Sequence, residues 1–288
     1  MNTPLRFTKM NGTGNDFIIV DNRESGIAKT EMAGIAKRLC HRQFAVGADG
    51  MIFIENTEGA DFCWQFYNAD GSEAEMCGNG ARCAARYTFT KGITKKHMRF
   101  LTLAGLIEAQ IVGHNVKIRL TAPTDIVLGQ SIEIDGAVRE IDSINTGVPH
   151  AVHFVRDNGA TPVKKWGRLI RHHKLFEPAG TNVNFVQLPE NELHVRTYER
   201  GVEDETLACG TGAVASALIA ALHGHVTSPV TVRTSGGDEL RIHFTLLDLG
   251  ENPESSAALR HEQRIVDVYL EGPASLVYEG ELYPEVLA

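Results

Sequence analysis

The sequence predicts an α+β, or mixed α/β, fold built from two similar lobes. Predicted strands outnumber predicted helices, and the helices interrupt runs of strands, which is typical of this class. A cysteine motif also occurs twice: residues 76–87 read MCGNGARCAARY, and residues 208–219 read ACGTGAVASALI. Both contain the pattern C-G-x-G-A-x-x-x-A, and the two motif cysteines are 132 residues apart. The chain of 288 residues is long enough for two such lobes.

Two further landmarks repeat at almost the same offset as the cysteines. Phe66–Asn68 and Thr197–Arg200 precede the two motifs by a similar interval. Upstream, Gly14-Asn15 and Gly147-Val148 lie 133 residues apart, and apolar residues of a predicted strand follow each pair. Three landmarks in the same order at one offset predict a duplicated domain.

The elements of the first half follow from side-chain periodicity, since alternating or β-branched apolar residues favour strands and amphipathic patterns favour helices. Strands are predicted at 8–21, 50–55, 62–68 and, as short pieces broken at Gly105 and Gly113, at 98–122. Helices are predicted at 30–41 and at 79–90, with Gly92 ending the second.

The second half repeats this order of elements. Strands are predicted at 151–156, 184–188, 193–199, 231–234, 240–246, 264–270 and 274–278. Helices are predicted at 163–173 and 210–223. The polar stretch 247–263, which contains Pro and Gly, is predicted to be a loop.

The composition disfavours several classes of function. A net charge of −8 argues against nucleic acid as a partner, because phosphate contacts need clustered Lys and Arg. No segment reaches the roughly 18–20 apolar residues of a membrane span, and residues 1–7 lack a secretory pattern, so a cytoplasmic location is expected. Five cysteines, without CxxC or zinc-finger spacing, favour neither a disulfide framework nor structural zinc.

The two repeated cysteines lie at predicted strand-to-helix turns. A helix N-terminus has unpaired N–H groups and a partial positive charge, so it attracts anions and stabilises a thiolate. The effect on a thiol pKa is only about one unit, so further tuning groups are expected nearby. Glycines that would let an anion approach follow each cysteine: Gly78, Gly80, Gly210 and Gly212. The remaining cysteines are predicted to be apolar core residues: Cys40, Cys63 and Cys83.

If a pseudo-twofold axis relates the lobes, the two turns can face one cleft. One α-carboxylate would then receive N–H groups from two helices, with Cys77 and Cys209 on opposite sides of the adjacent carbon. Such a pair can remove a proton from one face and deliver a proton to the other. The helix termini would stabilise the negative charge that develops in between. The sequence therefore predicts a cofactor-independent amino-acid epimerase.

Longer motifs resemble the diaminopimelate epimerase family over nearly the whole chain. They are KMNGTGNDFIIVD (9–21), FYNADGSEAEMCGNGARC (66–83), TGVPH (146–150), GTNVNF (180–185) and YERGVEDETLACGTGA (198–213). The resemblance implies epimerisation of LL-2,6-diaminopimelate to the meso form, without pyridoxal phosphate or metal, in lysine and peptidoglycan precursor biosynthesis.

The resemblance also implies an architecture. Each lobe would be a curved mixed sheet around a central helix, with the site between the lobes, and members of the family are often homodimers. The C-terminal strands would return to the first lobe. The predicted lobes are therefore residues 1–122 with 266–288, which carry Cys77, and residues 123–265, which carry Cys209.

Roles for individual residues follow from the same resemblance. Cys77 and Cys209 match the two bases. His150 matches a histidine that tunes one cysteine, where an imidazolium would favour thiolate, and Glu199 matches a carboxylate that would keep the other as thiol. The fork-shaped guanidinium of Arg200 suits a distal carboxylate. The matched substrate contacts are Asn15, Asn68, Gly78, Asn79, Asn182, Glu199, Arg200, Gly210 and Thr211.

The chain departs from the family pattern at two positions. Many members have Asn in place of Val148, and that asparagine contacts substrate. Many also have Gln in place of Gly50. Neither residue is included in the predicted site, and the two changes are compatible either with a common variant within the family or with a shifted substrate preference.

Three rival interpretations stay open at this point. Proline racemase or hydroxyproline epimerase uses a similar cysteine pair, but that family typically has His in place of Asn79 and a different sequence before the second cysteine. A non-catalytic anion-binding relative and a thiol redox protein are the other two. The redox function would require the two sulfurs to form a disulfide readily.

Overall fold

A computed structural model describes residues 4–190, 192–251 and 261–287. The chain divides into two compact units, Met1–Ile118 with Gly272–Ala288, and Arg119–Glu271. The boundaries predicted from the sequence were 122/123 and 265/266. The predicted mixed α/β class is confirmed. Within the described residues, no helix combines the length and the apolar character needed to cross a bilayer.

The described residues form 17 strands and six α-helices. The strands are β1 (Leu5–Gly12), β2 (Asn15–Asp21), β3 (Gly50–Glu55), β4 (Phe62–Asn68), β5 (His97–Thr102), β6 (Gly105–Val112), β7 (Asn115–Arg119), β8 (Thr124–Ile134), β9 (Ala137–Asn145), β10 (Pro149–Phe154), β11 (Asn182–Gln187), β12 (Glu192–Glu199), β13 (Asp204–Thr206), β14 (Val230–Thr234), β15 (Glu239–Glu251), β16 (His261–Pro273) and β17 (Ser275–Leu282). The helices are α1 (Asn22–Ser25), α2 (Lys29–Leu39), α3 (Gly78–Thr90), α4 (Val163–Arg171), α5 (Gly210–Leu222) and α6 (Pro284–Leu287).

The first unit is a mixed sheet whose strand directions alternate in a characteristic order. The C-terminal strand β17 pairs antiparallel with β1, and β1 pairs antiparallel with β2. Next, β2 and β3 are parallel, β3 and β4 antiparallel, and β4 and β5 parallel. The strands β5, β6 and β7 form an antiparallel meander.

The second unit repeats this order strand for strand. The hairpin β8–β9 and the pair β9–β10 are antiparallel. Next, β10 and β11 are parallel, β11 and β12 antiparallel, and β12 and β14 parallel. The strands β14, β15 and β16 are antiparallel. The short strand β13 pairs with β12, and its counterpart in the first unit is a single antiparallel bridge between Tyr67 and Glu73.

One helix in each unit is enclosed by its sheet. Residues 212–221 of α5 are all buried, and α5 packs on β9 to β12, β14 and β15. In the first unit, α3 packs on β1, β2, β3 and β6 and buries residues 80–85. Each unit has another helix, α2 in the first and α4 in the second, which buries only one face against a separate apolar cluster. Burial on all sides explains why α5 is apolar around its whole circumference.

Two predicted elements were wrong in detail, and one hairpin was missed. Residues 8–21 form the hairpin β1–β2 and not one strand, because Thr13 (φ 56°) and Gly14 (φ 81°) reverse the chain. The hairpin β8–β9 was not predicted. The predicted loop 247–263 is strand as far as Glu251 and again from His261, while residues 252–260 lie outside the described residues.

Candidate active site

Cys77 and Cys209 hold the same structural position in their units. Each is the N-cap of the enclosed helix, with extended backbone angles of φ −143°, ψ 121° and φ −119°, ψ 109°. The first helical hydrogen bonds run from Ala81 N to Cys77 O (2.8 Å) and from Ala213 N to Cys209 O (2.9 Å). The amides of residues 78–80 and 210–212 therefore have no carbonyl partner in their own helix. Each turn is a positively polarised anion site.

The second glycine of each motif serves the packing of its own unit. A Cβ atom on Gly212 would lie 2.3 Å from Asn184 Oδ1 and 3.2 Å from Thr197 Oγ1. A Cβ atom on Gly80 would lie 3.3 Å from Ile52 Cδ1. These glycines let the helix approach the strands beneath it. The glycines that would let an anion approach the turns are therefore Gly78 and Gly210.

Asn15 and Asn79, both predicted to bind substrate, lie beside Cys77. Asn15, the first residue of β2, has its Oδ1 atom 3.6 Å from Cys77 Sγ and 3.5 Å from Asn79 Nδ2. Its Nδ2 atom donates to Asp49 Oδ2 at 2.7 Å. Asn68 ends β4, is exposed, and donates from Nδ2 to Ser72 Oγ at 3.0 Å. The structure thus brings Asn15 and Asn79 together at Cys77.

Cys209 is bordered by its own turn. The sulfur lies 3.6 Å from Thr211 Oγ1, and the carbonyl oxygen of Thr211 accepts a hydrogen bond from the buried Thr146 hydroxyl at 3.1 Å. This second bond fixes the first turn of α5 to the chain just before β10. Thr146 belongs to the TGVPH motif, so this motif supports the second cysteine turn.

His150, on β10, is fully enclosed, and its charge state differs from the prediction. Burial, assisted by the nearby Arg200 cation, lowers the pKa of His150 to about 3. The ring is therefore a neutral imidazole at neutral pH, and the predicted imidazolium was wrong. Its Nε2 atom is buried and lacks a hydrogen-bond partner among the residues that the structure describes.

Asn182 joins three segments next to His150. Its Nδ2 atom donates to Pro149 O at 3.2 Å, and its Oδ1 atom accepts from the backbone N–H of Arg200 at 2.8 Å. Asn182 also pairs with His150 in the β10–β11 register. The half-buried Arg200 side chain donates to Ala179 O at 3.3 Å. His150, Asn182 and Arg200 therefore form one cluster, in which Asn182 fixes the backbone of the other two.

Glu199 ends β12 and is half-buried. Burial raises the pKa of this carboxyl above its ordinary value. Burial therefore favours the neutral carboxyl, whereas the expected effect of Glu199 on a cysteine requires the ionised carboxylate.

The position of Gly50 admits no side chain. A Cβ atom there would lie 2.6 Å from Phe66 Cε2 and 2.9 Å from Tyr67 O. The glutamine expected from the family pattern would require both the Phe66 ring and the Tyr67 backbone to move. The absence of that contact is therefore built into the packing of β3 on β4.

The family model for diaminopimelate epimerase matches residues 7–125 and 143–245. The chain is 43% identical to the diaminopimelate epimerase of Aquifex aeolicus, over 98% of this chain and 99% of the relative. It is 41% identical to that of Archaeoglobus fulgidus, over 96% of each chain.

The chain belongs to the diaminopimelate epimerase family.

Solved structures outside this family share the fold. A Bacillus anthracis phenazine biosynthesis protein of the PhzF family superimposes with a TM-score of 0.71 at 18% identity, covering 97% of this chain and 99% of that one. A hydroxyproline epimerase from Agrobacterium vitis gives a TM-score of 0.66 at 14% identity, covering 97% and 92%. At these identities the likeness shows the fold alone. This chain therefore shares its architecture with proteins outside its family.

Several residues that contact the predicted site were not predicted. Asp49 and Arg82 bond the side chains of Asn15 and Asn79, and Asn184 bonds His150. Arg82 had a sequence signal, because a charged residue within the buried run Ala81–Ala85 needs buried partners. Asp49 and Asn184 had none, since Asp and Asn are common in turns and at strand ends.

Proposed function

We propose that this chain interconverts LL-2,6-diaminopimelate and meso-2,6-diaminopimelate by two-base proton transfer, with Cys77 and Cys209 as the bases. The observation that carries the proposal is the equivalent placement of the two cysteines. Each caps the enclosed helix of one repeated unit, at a turn with three amides unused by that helix. Membership of the diaminopimelate epimerase family supplies the substrate.

The reaction needs one cysteine as thiolate and the other as thiol. The thiolate takes the α-proton, and the electron pair of the C–H bond remains on Cα, delocalised into the carboxylate. The thiol then protonates Cα from the opposite face, which inverts the centre. The two sulfurs have exchanged protonation states at the end, as the reverse reaction requires.

The α-carboxylate would bind to the amides at the start of α3 and α5. Gly78 and Asn79 supply one pair of N–H groups, and Gly210 and Thr211 supply the other. These donors strengthen their interaction as negative charge builds up in the transition state, which lowers the barrier to proton removal. No step of this scheme uses pyridoxal phosphate or a metal ion.

Further polar groups would fix the remainder of the substrate. Arg200 carries a planar guanidinium suited to the distal carboxylate, and Asn182 holds the Arg200 backbone in place. We also assign Asn15, Asn68 and Glu199 to substrate contacts, with His150 and Glu199 influencing the two thiols. His150 would do so as a neutral donor through Nε2–H.

The role in lysine and peptidoglycan precursor biosynthesis follows from this reaction. Two reduced cysteines are required, and a reducing compartment maintains them. On that ground we propose action in the cytoplasm. The homodimer and the absence of a nucleic-acid partner stay predictions.

Incubation of the purified chain with LL-diaminopimelate in deuterated water tests the proposal. We expect meso product with deuterium at the inverted α-carbon, in the presence of chelator and without added pyridoxal phosphate. Cys77→Ala and Cys209→Ala should each lower turnover by about 10²- to 10⁴-fold. Cys63→Ala is the matched control, because Cys63 is a half-buried thiol on β4. Full turnover in either active-site variant would refute the two-base assignment.

The same assay separates the rival substrates. L-proline and trans-4-hydroxy-L-proline have a single carboxylate and no distal charged end for Arg200. We expect no α-deuterium in either compound, and Arg200→Lys should raise KM for diaminopimelate. Exchange with proline that equals exchange with diaminopimelate would favour the proline racemase reaction instead.

A further inference from the structure

Four side chains form a hydrogen-bonded row beneath Cys77 in the first unit, and the two side chains at its ends are charged. In order, they are Asp49, Asn15, Asn79 and Arg82. Asp49 Oδ2 accepts from Asn15 Nδ2 at 2.7 Å. Asn79 Nδ2 lies 3.5 Å from Asn15 Oδ1, and Asn79 Oδ1 accepts from Arg82 Nη2 at 2.8 Å. Cys77 Sγ approaches the same Asn15 Oδ1 atom at 3.6 Å. The Cys77 sulfur therefore contacts this row of side chains at the side-chain carbonyl oxygen of Asn15.

The charged ends determine which way the two amides face. A carboxylate can only accept hydrogen bonds, so the Asn15 group that faces Asp49 must be its NH₂ group. A guanidinium can only donate, so the Asn79 group that faces Arg82 must be its carbonyl oxygen. Asn79 then presents its NH₂ group to Asn15 Oδ1. Both constraints place an acceptor, not a donor, in front of Cys77.

Both charged ends are themselves held in place. Arg82 is fully buried and also donates to Thr13 Oγ1 (3.0 Å), to Gly78 O (3.3 Å) and to Pro273 O (3.3 Å). Asp49 Oδ1 accepts from Arg42 at 2.8 Å. Asp49 Oδ2 accepts a second hydrogen bond, from the backbone N–H of Asp16 at 3.1 Å. Neither end can turn to offer the opposite polarity.

We propose that Asp49 is a positioning residue that orients the Asn15 amide so that its carbonyl oxygen faces the Cys77 sulfur. A carbonyl oxygen accepts a hydrogen bond from a thiol and repels a thiolate. The arrangement therefore favours Cys77 as thiol, the form that donates a proton. The catalytic meaning of this rests on the proposed function, in which Cys77 is one of the two bases, but the orientation itself does not.

Replacing Asp49 by Asn tests the orientation through the reactivity of Cys77. An asparagine at position 49 can offer its own NH₂ group, which removes the stronger of the two constraints on Asn15. Asn15 can then turn its NH₂ group towards the sulfur and stabilise the thiolate, at the cost of only the long 3.5 Å contact with Asn79 Nδ2. We expect iodoacetamide to alkylate Cys77 about three- to tenfold faster at pH 7, with the profile against pH displaced to lower pH. Peptide mapping by mass spectrometry follows Cys77 separately from the other cysteines.

Loss of the Asp49 charge would by itself favour a thiolate, so a double-mutant cycle with Asn15→Ala isolates the orientation effect. We expect most of the rate increase to vanish in the Asn15→Ala background, where no amide remains to turn. An equal increase in both backgrounds would overturn the proposal. Asp49→Glu restores an acceptor and should return the rate towards that of the wild type; a rate like that of Asp49→Asn would also contradict it.

The test is independent of turnover. Asp16→Asn provides a second charge control, because Asp16 bonds Lys9 and Arg42 in the same ion network, and its side chain makes no contact with Asn15 among the described hydrogen bonds. Asp16 Oδ1 also accepts from the Asp49 N–H at 3.0 Å, and the amide oxygen of an asparagine can still accept this bond. We expect a smaller effect on Cys77 alkylation than with Asp49→Asn. If Cys77→Ala retained full epimerase activity while these alkylation results held, the proposed function would fail and the orientation would stand.

Discussion

Asn184 donates its side-chain NH₂ group to Nδ1 of His150 at 3.1 Å. The orientation of this amide is fixed from both sides, because Nδ2 also donates to Ala151 O at 3.1 Å and Oδ1 accepts from the Thr197 hydroxyl at 2.9 Å. His150 Nδ1 is therefore an acceptor, and the single imidazole proton resides on Nε2. The histidine is held as a neutral ring with one defined donor.

This neutral state predicts a pH dependence of stability. The pKa of His150 is lowered to about 3, whereas the ordinary value is 6.5, so between these values the unfolded chain binds a proton that the folded chain excludes. Stability contributed by this residue is present above pH 6.5 and is lost as the pH falls towards 3. The loss should approach about 1.4 kcal/mol per pH unit within that window.

Urea unfolding at pH 5.0, 6.0 and 7.5 measures this dependence. His150→Gln, which does not titrate, should be less sensitive to pH between 5.0 and 6.0 than the wild type. Lys164→Gln, at an exposed position on α4, is the control for the effect of introducing a glutamine away from His150. Identical pH slopes for wild type and His150→Gln would show that His150 takes up its proton in the folded state.

Glu199→Gln should stabilise the fold and impair the reaction. Burial raises the pKa of the Glu199 carboxyl, so the folded state disfavours the ionised form as the pH rises through that raised value. Gln stays neutral, so the variant should gain up to about 1 kcal/mol at pH 8, and the gain should shrink below pH 4.5. Thermal unfolding at both pH values and the deuterium assay check the two effects. A variant that is less stable at pH 8 would contradict the burial argument.

The glycine at the third position after each cysteine provides a matched pair of substitutions. Gly212→Ala would place a Cβ atom 2.3 Å from Asn184 Oδ1, which would displace Asn184 from His150 and Thr197. We expect a loss of about 1–3 kcal/mol. Gly80→Ala would place a Cβ atom 3.3 Å from the flexible Ile52 Cδ1 and in ordinary contact with the Phe17 ring at 3.5 Å, so the change should stay within about 1 kcal/mol. Urea unfolding of both variants should separate them; equal losses would refute the packing difference.

Periodicity predicted the helices well and the strands less completely. The enclosed helices α3 and α5 begin within one residue of their predicted starts, because a glycine-rich turn precedes each apolar run. The hairpin at Thr13 and Gly14 was missed because apolar residues on both sides hid the turn. The hairpin β8–β9 was missed because Gly129 and Gln130 interrupt the apolar alternation of the β8 sequence, although the burial of its side chains alternates.

The repeated motif predicted that the two cysteines occupy equivalent turns. The sequence did not show which side chains contact each other around them. Nothing in the sequence shows that Asp49 contacts Asn15, since the register of β2 on β3 is what brings these segments together. The predicted imidazolium at His150 failed for a related reason. Burial decides that charge, and the burial of one residue on β10 depends on the whole unit.

The five cysteines should differ sharply in their reactivity towards iodoacetamide. Cys40 and Cys83 are buried, which raises the pKa of each thiol to about 12, so each should react about 10³-fold more slowly than an ordinary thiol at pH 7.5. Cys77 and Cys209 are half-buried at helix N-termini and should react faster than Cys40 and Cys83. Peptide mapping after graded exposure gives the order.

Substrate protection turns this order into a test of the site. Diaminopimelate at saturating concentration should slow the alkylation of Cys77 and Cys209 together, because one bound molecule would cover both sulfurs. Cys63 is the internal control: it is half-buried on β4, burial raises its thiol pKa, and its alkylation rate should not change with substrate. Protection of one active-site cysteine without the other would mean that the two sulfurs do not flank the same bound carbon, and the two-base mechanism would then have to be abandoned.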